Sequence, residues 1–268
     1  MTLHVGVFSY QTGHRKTVEV VTKLLPRYRA VTVFAFPFIY APAKSRTERW
    51  QERPWQLLDF DPAPFYRAHG VRYVEIESWD VGAEAVLDAP GPEGAVDIFL
   101  TCIGAKKFPG HFIDGRTVLN CHPALLPQNR GLDAFKWGIL NGWPIGASLF
   151  VMDSALDRGQ LLYRTRTPVL TCDSLDDVAR RNYDLECDLT ADFERFLPHL
   201  SKAWRIADED GPLSTKLIPK AEDERLAETF LAKRDRFVRL STDLSAHPHP
   251  ADSVGDGLRL SQTVESGS

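Results

Sequence analysis

Along the first hundred positions, apolar residues come in short, nearly unbroken runs set between polar, periodic stretches. LHVGVFS (3–9) reads as a strand, followed by a polar turn and an amphipathic helix through KTVEVVTKLL (16–25). AVTVFAF (30–36), VRYVEI (71–76), VDIFLTCIG (96–104) and TVL (117–119) read as further strands. Runs this apolar suit parallel strands covered on both faces. Their alternation with helical stretches predicts an α/β fold built on an open, mostly parallel sheet. In such sheets, function gathers in the loops at the carboxyl ends of strands. SYQTGH (9–14), IGAKKF (103–108) and CHPALLP (121–127) all fall at such ends.

Past residue 131 the pattern continues differently. LDAFKWGILNG (132–142) predicts a helix closed by Asn-Gly, and GASLFVMD (146–153) and QLLYRTRTPV (160–169) two strands joined by SALDRG (154–159). A long helical period runs over 173–200, with Asp173 or Ser174 as its N-cap. Residues 1–203 are expected to form one domain and 204–240 a short C-terminal helical extension. In that extension Leu226, Phe230, Leu231 and Phe237 recur at helical spacing, so the helix is expected to pack back on the core or at a homodimer contact. From 241 onward Ser, Asp, Gly, Pro and His dominate, which predicts a disordered tail. A Pro- and aromatic-rich insert spans 37–64.

Composition narrows the classes. The 268 residues are 43% hydrophobic and carry a net charge of −4, which argues against general affinity for nucleic acid or an anionic membrane. The four cysteines, Cys102, Cys121, Cys172 and Cys187, form no C-x-x-C pair and read as reduced thiols. No charged leader precedes the first strand and no apolar run approaches the roughly 18 residues of a membrane span, so a cytoplasmic location is expected. GVFSYQTGHRKT (6–17) lacks the glycine and Lys-Ser/Thr spacing of a P-loop, although its place before a helix suits an anion. HPHP (247–250) has no carboxylate or cysteine cluster beside it, and no metal is expected.

NCHPALLPQNRG (120–131) carries the chemistry. In a strand, Asn120 and His122 project to one face. Asp157 lies in a later turn. Asn, His and Asp together offer donors for an oxyanion and a group that orients a base or accepts a proton. No serine sits in a nucleophile elbow, and Cys121 beside His122 reads as a packed thiol or a catalytic one. The set suits direct attack by an amine or water on an activated carbonyl.

NCHPALLPQNRG followed by GASLFVMDSALDRGQLLY (146–163) resembles the N10-formyltetrahydrofolate-dependent formyltransferases, whose pattern is N-x-H-P-x-L-L-P-x-x-x-G and then a loop with L-D-x-G. The likeness covers about residues 95 to 170 closely and the strand order up to about 200 loosely. It implies a Rossmann-like sheet of the formyltransferase type and Asn120, His122 and Asp157 as catalytic residues. It further implies that Thr101, Cys102, Ile103, Gly104, Lys106 and Phe108, with Val151, Met152, Asp153 and Ser154, line a pterin pocket. The co-substrate would be N10-formyltetrahydrofolate, and the acceptor a primary amine of a small molecule. NRGLDAFKWGILNG (129–142) is most similar to the sugar N-formyltransferases, which act on nucleotide-linked amino sugars. The acceptor would meet Ser9, Tyr10, Gln11, Thr12, Gly13 and Arg130, with the insert around 39–55 shaping its pocket. Hydrolysis of the formyl donor and folate binding without catalysis remain alternatives.

Overall fold

The computed structural model describes residues 3–38, 50, 52–79, 84–104, 108, 110–153, 159–206 and 216–243. Strand β1 (His4–Tyr10) leads through a two-residue strand β2 (Gly13–His14) into helix α1 (Arg15–Leu24). Strand β3 (Ala30–Phe36) follows, then β4 (Leu57–Leu58), α2 (Pro62–Ala68) and β5 (Arg72–Glu75). Next come α3 (Glu84–Asp88), β6 (Ile98–Thr101), α4 (Gly110–Ile113) and β7 (Val118–His122). Helix α5 (Ala134–Asn141) precedes β8 (Gly146–Met152), β9 (Gly159–Arg166) and α6 (Leu175–Ala191). Two 3-10 turns lead to β10 (Trp204–Ile206), which extends the sheet past residue 203, and α7 (Lys220–Asp223) and α8 (Leu226–Thr242) complete the described chain.

The eight-stranded sheet has the order β10-β9-β8-β7-β6-β1-β3-β5. From β5 to β7 the neighbours are parallel, and from β7 to β10 each neighbour is antiparallel. The runs of β1 and β3 are buried from end to end because both faces are covered. On one face Val5, Val7, Leu100, Leu119 and Leu149 pack with Val20, Leu24 and Leu189 of α1 and α6. On the other, Phe8, Phe34, Phe36, Phe99 and Phe112 form an aromatic layer with Trp79.

Local signals explain the helix ends. Ser174 caps α6: its hydroxyl accepts from Asp177 N, while the Asp177 carboxylate takes the Ser174 N–H. Gly142, at φ 64°, ends α5 in the left-handed conformation that glycine adopts without steric cost. The C-terminal helix α8 packs back on the core. Leu226, Phe230 and Phe237 join Phe135 and Ile139 of α5, whereas Leu231, expected on the same face, is 55% exposed. Lys233 Nζ and Arg236 Nε donate to the Leu140 and Gly142 carbonyls, so α8 also closes the carboxyl end of α5. The tail from 244 lies outside the described residues.

Candidate functional site

Asn120 and His122 stand on β7, the strand at which the sheet changes from parallel to antiparallel. Leu119 and Cys121 enter the core under α1 and α6, which turns Asn120 and His122 to the opposite face. In register, Asn120 is flanked by Thr101 of β6 and Phe150 of β8, and His122 by Ser148. The His122 ring is 5% exposed, with Nε2 2.9 Å from the Asn129 carbonyl. A carbonyl only accepts, so Nε2 carries the hydrogen and Nδ1 becomes the basic nitrogen of the neutral ring. Asn120 is partly buried, and its carboxamide forms no hydrogen bond among the described residues.

The loop behind this pair is held peptide by peptide. The Ser148 hydroxyl donates to Ala124 O (2.8 Å) and accepts from Leu126 N (2.9 Å). Arg164 Nη1 donates to Leu126 O at 3.0 Å, and Asn182 Nδ2 to Pro123 O at 3.3 Å. Leu125 and Leu126 are buried beneath. At about 1 kcal/mol net per hydrogen bond, these contacts hold the motif without help from a ligand.

The segments expected to line a pterin pocket divide by face. Ile103, Phe108 and Met152 share the aromatic-layer side with Asn120, and Met152 touches both that layer and the small cluster of Leu126, Phe150 and Leu161. Cys102 and Val151 correct the expectation. Strand alternation sends their side chains to the α1–α6 face, so only their backbone can meet a ligand on the Asn120 side. Phe108 is itself core, stacked 5.4 Å from Phe8. Thr101 Oγ1 bonds Ile103 O at 3.0 Å and fixes the strand end. The Tyr10 hydroxyl donates to Gly104 O (2.7 Å) and accepts from Gly104 N (3.2 Å). Asp153 is partly buried, 3.5 Å from Arg205. Lys106, Ser154 and Asp157 lie outside the described residues.

The candidate acceptor loop after β1 is less open than its letters suggest. Ser9 is buried and donates to Thr17 Oγ1, and Gln11 Nε2 donates to Ile76 O. Gly13 lies against β4, where an added Cβ would stand 2.3 Å from Leu58 O. The Arg15 N–H donates to Gln56 O, which removes the leading amide of α1 from an incoming anion. Thr12 is exposed and Arg130 is buried at 3% exposure. Tyr10 thus supports the Gly104 loop expected to line a pterin pocket, and the side chains of Ser9 and Gln11 and the packing of Gly13 are engaged within the fold.

Sequence reasoning missed the buried polar network under this loop. Lys16 Nζ is 3.3 Å from Glu186, and Arg53 reaches the same carboxylate at 2.5 Å from the insert. Burial, the largest influence, pulls the Lys16 ammonium down, but Glu186 together with Cys121, Cys102 and Cys187 outweighs it and the net shift is upward. His14 is lowered to about 3, by burial first and then by Lys16 and Arg53. Burial pushes the Cys102 and Cys121 thiols up to about 12, which fits packed cysteines rather than nucleophiles. Only the acidic letter of Glu186 amid buried positions of α6 hinted at this network. The insert packs its own tryptophans: Trp50 stacks on Phe135, and Arg180 covers Trp55. Residues 39–49 and 51 lie outside the described residues.

Residues 95–192 match the family model described as formyl transferase. A dTDP-4-amino-4,6-dideoxyglucose formyltransferase from Mycobacterium tuberculosis is 26% identical over 153 residues, 57% of this chain and 64% of its own. The chain thus spans less than two thirds of the length of that relative. A sugar N-formyltransferase from Shewanella shares the fold with a TM-score of 0.51 at 18% identity, over 86% of this chain and 87% of its own. Glycinamide ribonucleotide transformylase 1 from Symbiobacterium toebii does so with a TM-score of 0.54 at 17% identity, over 78% and 92%.

Proposed function

We propose that this chain, whose residues 95–192 match the formyl transferase family model, transfers a formyl group from N10-formyltetrahydrofolate to a primary amine, and that the acceptor is a nucleotide-linked amino sugar. The observation that carries this reading is the juxtaposition on β7. An Asn120 amide with no partner among the described residues stands two positions from a histidine whose tautomer is set by Asn129 O. The apolar shelf of Ile103 and Met152 beside them suits a flat pterin ring, which backbone groups of 101–104 and 151–153 would read along its edge.

The acceptor nitrogen bonds to the formyl carbon, and the formyl oxygen gains negative charge. Asn120 donates a hydrogen bond to that oxygen. With its Nε2–H committed to Asn129, His122 acts through Nδ1, as a base in the neutral ring or as a second donor once protonated. Asp157, assigned by the motif, takes part in removing the proton from the amine. The bond from the formyl carbon to N10 then breaks, N10 gains a proton, and tetrahydrofolate leaves. The relatives named for sugar acceptors support the choice of amine.

The test is amine-dependent release of tetrahydrofolate, measured across nucleotide-linked amino sugars and free amines. Asn120→Ala and Asp157→Ala should each lower turnover at least tenfold, the scale set by loss of one oxyanion donor at about 2.7–4 kcal/mol. Their melting should stay near that of the parent protein. Near-parental rates in both variants at saturating formyl donor would sink the reading. Release without any amine would show hydrolysis instead.

A further inference from the structure

Asn129 lies seven residues beyond His122, in the stretch that reverses direction before α5, and is 3% exposed. Three of its polar groups are spent on three different parts of the molecule. Its N–H donates to Leu125 O at 3.1 Å, within the proline-bounded loop. Its carbonyl accepts from His122 Nε2 at 2.9 Å. Its side-chain Nδ2 donates to Ala134 O at 2.6 Å, in the first turn of α5. Ala134 O can only accept, which fixes the orientation of the amide. The remaining Oδ1 is buried with no hydrogen-bond partner among the described residues. Native folds seldom leave a buried amide oxygen unpaired, and such a cost tends to gather where function needs the other half of the group.

The backbone here is irregular. Gly131 sits at φ 100° and Asp133 at φ 51°, so the chain reverses through two left-handed residues between Asn129 and α5. The bond from Nδ2 to Ala134 O closes that reversal. The Asn129 peptide is thus tied on one side by its N–H to Leu125 O and on the other by its own side chain to Ala134 O, and the side-chain bond is one of the contacts that aim the carbonyl offered to His122.

We propose that Asn129 is a positioning residue for His122: by closing the loop onto α5 it aims the carbonyl that takes the Nε2–H, and so selects the tautomer in which Nδ1 faces the chemistry. The kinetic consequence rests on the proposed formyl transfer; the tautomer itself does not.

Two variants test it. Asn129→Ala removes the side-chain bond, and Asn129→Asp keeps the shape but sets an oxygen against Ala134 O. The 15N and 13C shifts of the His122 ring, assigned by comparison with His122→Gln, report its tautomer above its titration range. The expected result is a pure Nε2–H tautomer in the parent protein and a mixture in both variants. Turnover should fall at least tenfold while the KM for the formyl donor stays within twofold, and the limb of the pH–rate profile owed to His122 should move. A folded variant with an unchanged tautomer and an unchanged pH profile would overturn the proposal, as would an Nδ1–H tautomer in the parent protein. If the parent protein formylates no amine, the ring shifts still decide this inference, and the failure belongs to the proposed reaction alone.

Discussion

Replacing Lys136 by methionine should unfold this protein far more readily than its position, outside the candidate site, would suggest. Lys136 Nζ lies 2.6 Å from Asp223 Oδ1, with the two side chains 8% and 0% exposed. The second carboxylate oxygen accepts from Trp50 N at 2.9 Å, and Lys136 also donates to Trp50 O at 3.0 Å. The pair thus ties α5, the insert and the C-terminal extension at one point. Lys136→Met leaves a buried carboxylate with a single amide donor, and Asp223→Leu leaves a buried ammonium. Breaking one side of such a pair costs about 3–5 kcal/mol. At roughly 2–4 °C per kcal/mol for a chain of this size, either variant should melt about 6–20 °C lower. The double variant removes both charges and leaves only the Trp50 N–H and carbonyl to be satisfied, at about 1–3 kcal/mol. It should therefore be more stable than either single variant. Urea unfolding followed by tryptophan fluorescence measures all four proteins. Single variants within about 1 kcal/mol of the parent, or a double variant as unstable as the two losses summed, would refute the argument.

Three further outcomes are expected. Of the four cysteines only Cys172 is exposed, so native protein at pH 8 should react rapidly with a thiol reagent at one site, and unfolded protein at four; fast reaction at Cys102 or Cys121 would contradict their raised thiols. The His14 ring is held near 3 when folded against 6.5 when free, so the unfolded chain binds the extra proton and stability falls as pH drops below 6.5. His14→Gln should lessen that slope by up to about 1.4 kcal/mol per pH unit between pH 6 and 4, and equal slopes in the two proteins would count against the burial of a neutral ring. Tyr10→Phe removes both bonds to Gly104, about 1–1.5 kcal/mol, and should raise the KM for the formyl donor roughly five- to tenfold. A rise in the amine KM alone would return Tyr10 to the acceptor side.

Much of this was readable from the chain because the signals are local. The apolar run at 30–36 is strand β3 residue for residue, Asn141-Gly142 ends α5, and Ser174 caps α6. The shared face of Asn120 and His122 follows from the period of two in a strand. The same period applied to Cys102 and Val151 would have turned them away from the candidate pocket. What stayed hidden depends on partners far along the chain. Lys16 meets Glu186 across 170 positions, and Gly13 meets Leu58 from an insert whose letters read as loop. Nothing near SYQTGH in sequence says that a later segment lies on it. Leu231 fits the helical spacing of α8, but the neighbouring Phe230 takes the core position and leaves it in solvent.

The short ladder between Gly13-His14 and Leu57-Leu58 has a bearing on selectivity. It brings Gln56 to the mouth of α1, where the Gln56 carbonyl takes the Arg15 N–H, while Glu186 takes Lys16 and Arg53 together, so that neither the leading amide nor the lysine is left for a negatively charged guest. For the transfer proposed above, an anionic acceptor would then have to be held by groups other than this helix end.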